Sequence, residues 1–284
     1  KSLQISGITN ISFPIFDYSG YAIAALTAPF LNRLHGNKVN IIKASSIMSK
    51  YSIKLSNELG YENKSWKKIM TNFTDRLSKC YTGVVHDIMR DMEYTNFTLP
   101  PEIKPCKNNH VLAGQIFTIE GEVDRNQTHH DSLLAWTGFL SKAPKDKVII
   151  CQPNTNEVAL MGELSAETLQ LRGIRGYIVD GGSRDMDFIL KIDFPVWSKF
   201  YTPRDVVKFW KPTKFEKQIH IGAVKINNND YVLADIDGVV IIPQDNIENI
   251  LIKSEEKINS ENLVRKAIKE GVDPQEAYKK YSAF

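Results

Sequence analysis

Tyr177-Ile178-Val179-Asp180-Gly181-Gly182-Ser183-Arg184-Asp185 opens as a short apolar strand, turns on a glycine pair and closes on an Arg-Asp pair. Upstream, Met161-Gly162-Glu163-Leu164-Ser165 reads as a turn feeding a helix. Leu164, Thr168, Leu169 and Leu171 mark an apolar face on that helix, and Gly173 ends it. Strand ends, glycine turns and helix N-termini are where open α/β folds collect ligands, because free amides point at an anion and glycine lets it approach. Arg184 with Glu163 and Asp185 in such a place suits a small carboxylate substrate and a hard cation. Adjacent residues on a turn seldom pair with each other, so Arg184 and Asp185 are expected to face a ligand.

Strand and helix alternate outward from this point. Residues 111–120 alternate as a strand, 133–140 read as a helix and 147–151 as a buried strand. Short β-runs follow near Val196, Val224, 231–234 and 239–242. Two helices close the chain, 247–270 (with a break expected near Asn259) and 274–281. Before the first strand, 66–92 is expected to be mostly helical, with an apolar stripe of Leu77, Val84, Val85, Ile88 and Met89. The pattern is that of a layered α/β domain. The first sixty residues differ. Ile11–Asp17 and Ala22–Leu26 read as a hairpin about Tyr18-Ser19-Gly20. A helix follows Asn37, with Ile41, Ala44, Ile47, Met48, Tyr51 and Leu55 on its apolar side and Gly60 stopping it. A polar linker, Glu62-Asn63-Lys64-Ser65, separates a small α+β unit, 1–61, from a larger domain, 62–284.

Composition sets outer bounds. The 284 residues are 42% hydrophobic and 24% charged, as in an ordinary globular protein. A net charge of +3 argues neither for nucleic acid nor for a membrane surface. No apolar run approaches the roughly 20 residues of a membrane span, and the N-terminus lacks a signal-peptide profile. Cys80, Cys106 and Cys151 are scattered and odd in number, which suits reduced thiols in a cytoplasm. The Asn-x-Thr triplets at Asn72 and Asn96 are expected by accident in a chain rich in these residues.

The Glu163 and Arg184-Asp185 motifs resemble those of the 4-hydroxy-4-methyl-2-oxoglutarate aldolases and oxaloacetate decarboxylases, a family that shares its fold with the regulator of ribonuclease activity A. The likeness runs from about residue 66 to 284. It takes in Leu99-Pro100-Pro101-Glu102-Ile103-Lys104-Pro105 with Leu112–Thr118, then Phe194-Pro195-Val196, and Thr202-Pro203-Arg204-Asp205-Val206-Val207. Ala234–Pro243 is similar to the family's final buried strand, and Glu261–Arg265 with Gly271 and Glu276-Ala277-Tyr278 to its last helices. Two departures stand: Glu163 where Asp is frequent, and Pro144-Lys145-Asp146 where a Pro-Gly-Asp turn is usual.

The resemblance implies an α/β fold, a layered α/β/β/α swivelling-type domain. It implies metal-dependent C3–C4 cleavage of 4-hydroxy-2-oxo acids to pyruvate, with oxaloacetate decarboxylation and no Schiff-base lysine. The amides after Gly162, at Glu163, Leu164 and Ser165, would hold the substrate carboxylate, and Arg184 the keto oxygen. Asp185 would bind the metal directly, with Glu163 and a neighbouring subunit's Glu261 acting through water. An all-oxygen, water-rich shell favours Mg²⁺ or Mn²⁺ over zinc. A homotrimer or a pair of trimers is implied, as is a cytoplasmic setting.

Residues 5–61 resemble the last part of the effector-binding domain of isocitrate-lyase-regulator type transcription factors. With Lys1 in place of an initiator Met, the expectation is a piece of a longer fusion, and an ordinary N-terminal extension is the alternative. A DNA-reading element would then lie upstream. Two other functions compete with the lyase: a non-catalytic regulator that grips a ribonuclease, and a metabolite-sensing module of a fused regulator. Three decoys are set aside. Asp237, before Gly238, reads as a turn residue. His129 and His130 beside Asp131 point in different directions on any regular element. Lys208, Lys211, Lys214 and Lys217 read as a solvated loop interrupted by Pro212.

Overall fold

The computed structural model describes residues 8–16, 22–31, 47–52, 54–56, 58 and 73–281. Two units divide the chain at Asn72 and Phe73. In the first, β1 (Ile8–Phe16) and β2 (Ala22–Leu31) pair antiparallel, longer than the sequence suggests. The hairpin turn, the helix start and the linker fall outside the described residues. Described residues between 47 and 58 are helical, and the buried side is Met48, Ser49, Ser52 and Ser56. Ser52 Oγ donates to Pro14 O at 2.5 Å. The expected apolar face is therefore wrong in part: Ile47, Tyr51 and Leu55 are exposed. Small serines allow close approach to the hairpin, and their hydroxyls can bond backbone oxygens, as Ser52 does.

The second unit starts with α1 (Phe73–Leu77) and α2 (Thr82–Asp91), within the stretch expected to be mostly helical. Leu77, Val84, Val85, Ile88 and Met89 are buried as their spacing predicts. Then come β3 (Lys104–Pro105), β4 (Leu112–Val123), α3 (His129–Lys142), β5 (Lys147–Gln152), α4 (Glu163–Leu171), β6 (Gly176–Val179), β7 (Gly182–Ser183), α5 (Met186–Ile192), β8 (Val196–Ser198) and β9 (Phe200–Tyr201). Next follow β10 (Trp210–Phe215), the hairpin β11 (Ile219–Ile221) and β12 (Val224–Ile226), then β13 (Tyr231–Ala234) and β14 (Val239–Ile242). The chain ends in α6 (Ile247–Lys269) and α7 (Pro274–Tyr281). α6 runs unbroken past Asn259, and no described helix is long and apolar enough to cross a membrane.

The main sheet has the order β14-β13-β4-β5-β6-β8-β3, with β10 on the far half of β4. β4, β5, β6 and β8 are parallel neighbours. Crossovers of one hand proceeding in one direction land on one face, and α3, α4 and α5 cover it. Phe117, Ile119, Ile149, Cys151, Tyr177 and Val179 point into that layer. Alternate residues Ile116, Val148, Ile150 and Ile178 point the other way, onto Ile219, Ile221, Val224 and Ile226 of the β11–β12 hairpin. The β13–β14 ribbon gives Val232, Ala234, Val239 and Ile241 to that second core. Leu233, Val240 and Ile242 on its other face meet α1, α2 and α6. The layers are α/β/β/α, as expected for the larger domain.

Burial on both faces explains why β4 lacks the clean alternation expected of residues 111–120. In α4, only Ala166 and Leu169 are buried, while Leu164 and Leu171 are 75% and 82% exposed, so the expected apolar face is corrected. Gly173 does end α4, with φ +76 that suits glycine.

Candidate active site

β4, β5 and β6 end on the same side of the sheet, and the chain leaving β6 builds the site there. It runs beside residues 158–162. Gly182 N–H donates to Val158 O at 3.3 Å, Leu160 N–H to Gly182 O at 2.8 Å and Arg184 N–H to Met161 O at 2.9 Å. This lateral pairing carries Gly162 up against Arg184 and Asp185. A Cβ on Gly162 would stand 2.7 Å from Asp185 Oδ2 and 3.2 Å from Arg184 Nε. Its backbone, φ −146 and ψ 179, is open to any residue. Close approach, and not conformation, requires glycine here.

Asp185 starts α5 with φ 56 and ψ 38, a left-handed conformation that Asp and Asn tolerate best among residues with a side chain. The turn sends its carboxylate to the N-terminus of α4. There Oδ2 accepts from Glu163 N–H at 3.1 Å and lies 3.4 Å from Arg184 Nε. Arg184 and Asp185 do pair, contrary to expectation, because the left-handed turn brings them to one spot. Glu163 is half-buried in the first turn of α4. Leu164 and Ser165 follow it, with N–H groups that a helix start leaves without intrahelical acceptors. Ser165 Oγ is already engaged, accepting from Trp136 Nε1 at 2.9 Å, which ties α4 to α3. Its amide and its hydroxyl hydrogen are left to donate to a ligand.

The structure thus brings Gly162, Glu163, Leu164, Ser165, Arg184 and Asp185 together and leaves Glu261 apart. Glu261, on α6, accepts a hydrogen bond from Tyr81 Oη. The Tyr81 phenol is pushed up to about 12 by burial and then by this bond. The next residue, Thr82, donates its N–H and Oγ1 to Asp235 at 2.8 and 2.7 Å. Asp235 follows β13 at the end where β4 begins, opposite the strand ends that carry Arg184.

Asp205 and the carbonyl of Pro203 are the residues the sequence did not single out. Arg184 Nη1 lies 3.4 Å from Pro203 O and 3.4 Å from Asp205 Oδ2. The signal was present in Thr202-Pro203-Arg204-Asp205, but only the pairing of β9 with β7 places it at Arg184. The decoys resolve locally. Thr128 Oγ1 accepts from Asp131 N–H at 3.1 Å and donates to Asp131 Oδ2 at 2.6 Å, so Asp131 closes the start of α3. Lys211 pairs with Asp124 at 2.8 Å and Lys214 with Glu120 at 2.9 Å, on a strand and not the expected loop. A register shift at Pro212 lets β10 keep its pairing. Asp237 sits in a turn, its N–H donating to Asp235 Oδ1 at 3.0 Å. Cys151, buried within β5, is pushed up to about 12 by burial and supplies no thiolate near neutral pH.

No group of three or more His, Cys, Asp or Glu able to hold a metal forms among the described residues of one chain. Asp185 and Glu163 offer oxygen alone. A hard, sparse donor set fits an ion that keeps most of its own waters, such as Mg²⁺ or Mn²⁺, better than zinc.

Comparison with known proteins places the chain in a family. The family described as RraA-like, Aldolase/RraA, matches residues 82–241. A Halalkalibacterium halodurans protein, provisionally named 4-hydroxy-4-methyl-2-oxoglutarate aldolase, is 27% identical over 65% of this chain and 83% of its own length. Protein DlpA of Legionella pneumophila is 24% identical over 78% of this chain, which spans only 35% of DlpA. The crystal structure of Streptomyces coelicolor RraAS2, an RNase ES inhibitor family member, superposes with a TM-score of 0.62 at 18% identity, over 68% of this chain and 96% of that one. That last likeness speaks to the fold.

Proposed function

The chain belongs to the RraA-like, Aldolase/RraA family, and from that premise we propose that it is a divalent-metal-dependent lyase. The substrate class is 4-hydroxy-2-oxo acids of the 4-hydroxy-4-methyl-2-oxoglutarate type, cleaved between C3 and C4 to release pyruvate. Oxaloacetate would lose CO₂ by breaking the equivalent bond. The observation that carries the proposal is the contact set at Gly162, where Arg184, Asp185 and the open start of α4 share one space that a single methyl group would fill.

The amides of Leu164 and Ser165 bind the substrate carboxylate at the positive end of the helix. Arg184 donates to the keto oxygen, and its planar, permanently charged fork holds that oxygen more strongly as it gains negative charge. Asp185, supported by Glu163, would hold the cation. That ion, when bound, supplies Lewis-acid polarisation of the same ketone. Cleavage turns the C4 hydroxyl into a carbonyl, its proton passing to solvent water, and leaves the electron pair in an enolate facing Arg184, which takes up a proton from water to become pyruvate. Glu261 lies at the opposite end of its own sheet, so the proposed role for it is in a neighbour's site. The same proposal includes a homotrimer or a pair of trimers in a cytoplasmic setting.

The test is pyruvate release from oxaloacetate and from 4-hydroxy-4-methyl-2-oxoglutarate, with Mg²⁺ and with a chelator. Chelator-sensitive turnover above the spontaneous rate supports the lyase. Turnover no faster than the blank on either substrate overturns it.

A further inference from the structure

We infer that Asp205 is a positioning residue for Arg184, and that the strap Thr202–Asp205 sets the direction in which the guanidinium faces its substrate. The inference rests on the lyase proposal for its kinetic consequence, but not for its geometry. Arg184 has two carboxylate neighbours of different kinds. Asp185 Oδ2 is shared, since it also accepts from Glu163 N–H at 3.1 Å. Asp205 Oδ2 lies 3.4 Å from Arg184 Nη1, while its other oxygen accepts from Val207 N–H at 3.1 Å. One oxygen of Asp205 thus anchors its own loop and the other faces Arg184. Pro203 O, at 3.4 Å from the same Nη1, gives the guanidinium a second neighbour on the strap.

The strap is itself fastened to both segments that build the site. Thr202 N–H donates to Ser183 O at 3.1 Å, one residue before Arg184. Ala159 N–H donates to Arg204 O at 2.8 Å, three residues before Gly162. Arg204 Nη1 reaches Glu157 Oε2 at 2.8 Å, and its guanidinium lies 4.3 Å from the centre of the buried Phe209 ring. A strap held at these points gives Asp205 a defined place. An arginine has several rotatable bonds, so a guanidinium gripped only through Nε keeps freedom at its terminal nitrogens. A carboxylate beside Nη1 removes that freedom. The Arg184 and Asp205 side chains are 36% and 42% exposed, so the pair adds little to stability. Its effect lies in orientation.

The experiment is a double-mutant cycle of Asp205→Ala and Arg184→Ala, with crystal structures of the parent and of Asp205→Ala. In the parent background, Asp205→Ala lowers kcat by about ten- to a hundredfold, the range expected when a reacting group is misplaced by under an ångström or so. In the Arg184→Ala background it changes kcat by less than about twofold, and Asp205→Asn, which keeps one acceptor oxygen, recovers part of the loss. Melting temperature stays close to the parent's. Additive losses in the cycle, or an unchanged kcat in Asp205→Ala, overturn the role. If the parent shows no lyase turnover, the lyase proposal fails and the crystal structures decide this one. A guanidinium that shifts or loses order in Asp205→Ala supports it, and one that stays in place refutes it.

Discussion

Gly162→Ala separates chemistry from folding. The added Cβ would stand 2.7 Å from Asp185 Oδ2 and 3.2 Å from Arg184 Cγ and Nε. Normal carbon–oxygen contact begins near 3.4 Å, so the carboxylate must withdraw by about 0.7 Å. Withdrawal stretches the 3.1 Å bond from Glu163 N–H past the usual hydrogen-bond limit. Because the backbone at Gly162 suits alanine, no strain is added. The lost bond is half-exposed and costs about 1 kcal/mol, which shifts the melting temperature of a domain this size by about 2–4 °C. The effect on activity is larger, since Arg184 and Asp185 both move: kcat/KM should fall by about ten- to a hundredfold. Steady-state pyruvate release with Mg²⁺ and thermal unfolding of the same preparation measure the two effects. Activity within twofold of the parent refutes the close-approach argument. A melting temperature lowered by more than about 10 °C would mean that Gly162 serves the fold instead.

Asp185→Ala should abolish turnover at any Mg²⁺ concentration and cost about 1 kcal/mol, because alanine tolerates the left-handed conformation poorly; retained kcat at saturating Mg²⁺ excludes it as the ligand. Arg184→Lys should lose nearly as much kcat as Arg184→Ala, since lysine lacks the planar fork, and a lysine variant keeping most of kcat shows that charge alone suffices. Mixing Asp185→Ala with Glu261→Ala chains, once subunit exchange is demonstrated, should restore part of the activity. A mixture as inactive as its parents removes Glu261 from the neighbour's site. Arg76 donates twice to Glu255 at 2.8 Å, and this holds the Glu255 carboxyl below its ordinary value. A lowered folded pKa gives stability that is present above about pH 4.3 and lost as pH falls through the folded value. Arg76→Ala should therefore flatten the acid limb of stability between pH 7 and 3, and an unchanged limb in urea unfolding refutes the link.

Strands were legible because burial imposes short apolar runs: 147–151 and 177–179 fall inside β5 and β6. Helix faces were less so. Leu164 and Leu171 look like core residues, yet leucine is also a strong helix former, and here both serve a surface helix. Ile47, Tyr51 and Leu55 misled in the same way, since a serine side chain can pack as closely as an apolar one when its hydroxyl finds a backbone oxygen. The site was legible to the extent that it is local. Gly162–Ser165 and Arg184-Asp185 occupy two short segments, whereas Asp205 arrives from a third through the β7–β9 pairing, which leaves no mark in residue spacing. The Arg184–Asp185 contact depends on one positive φ, which residue spacing does not encode.

That positive φ at Asp185 bears on how such a chain can diverge. A left-handed position favours glycine, asparagine and aspartate on backbone grounds, although this chain also places Glu93, Lys208 and Glu216 there. Of the favoured three, only aspartate brings a negative oxygen to the start of α4. The two alternatives fit the backbone as well or better, and aspartate reaches either through a single nucleotide change. A descendant could therefore discard the proposed metal ligand in one step without losing the fold. Its layered scaffold and exposed helices would remain free to be selected for gripping another macromolecule. On the lyase proposal, catalysis is a property that selection must continually maintain, while the fold persists without it.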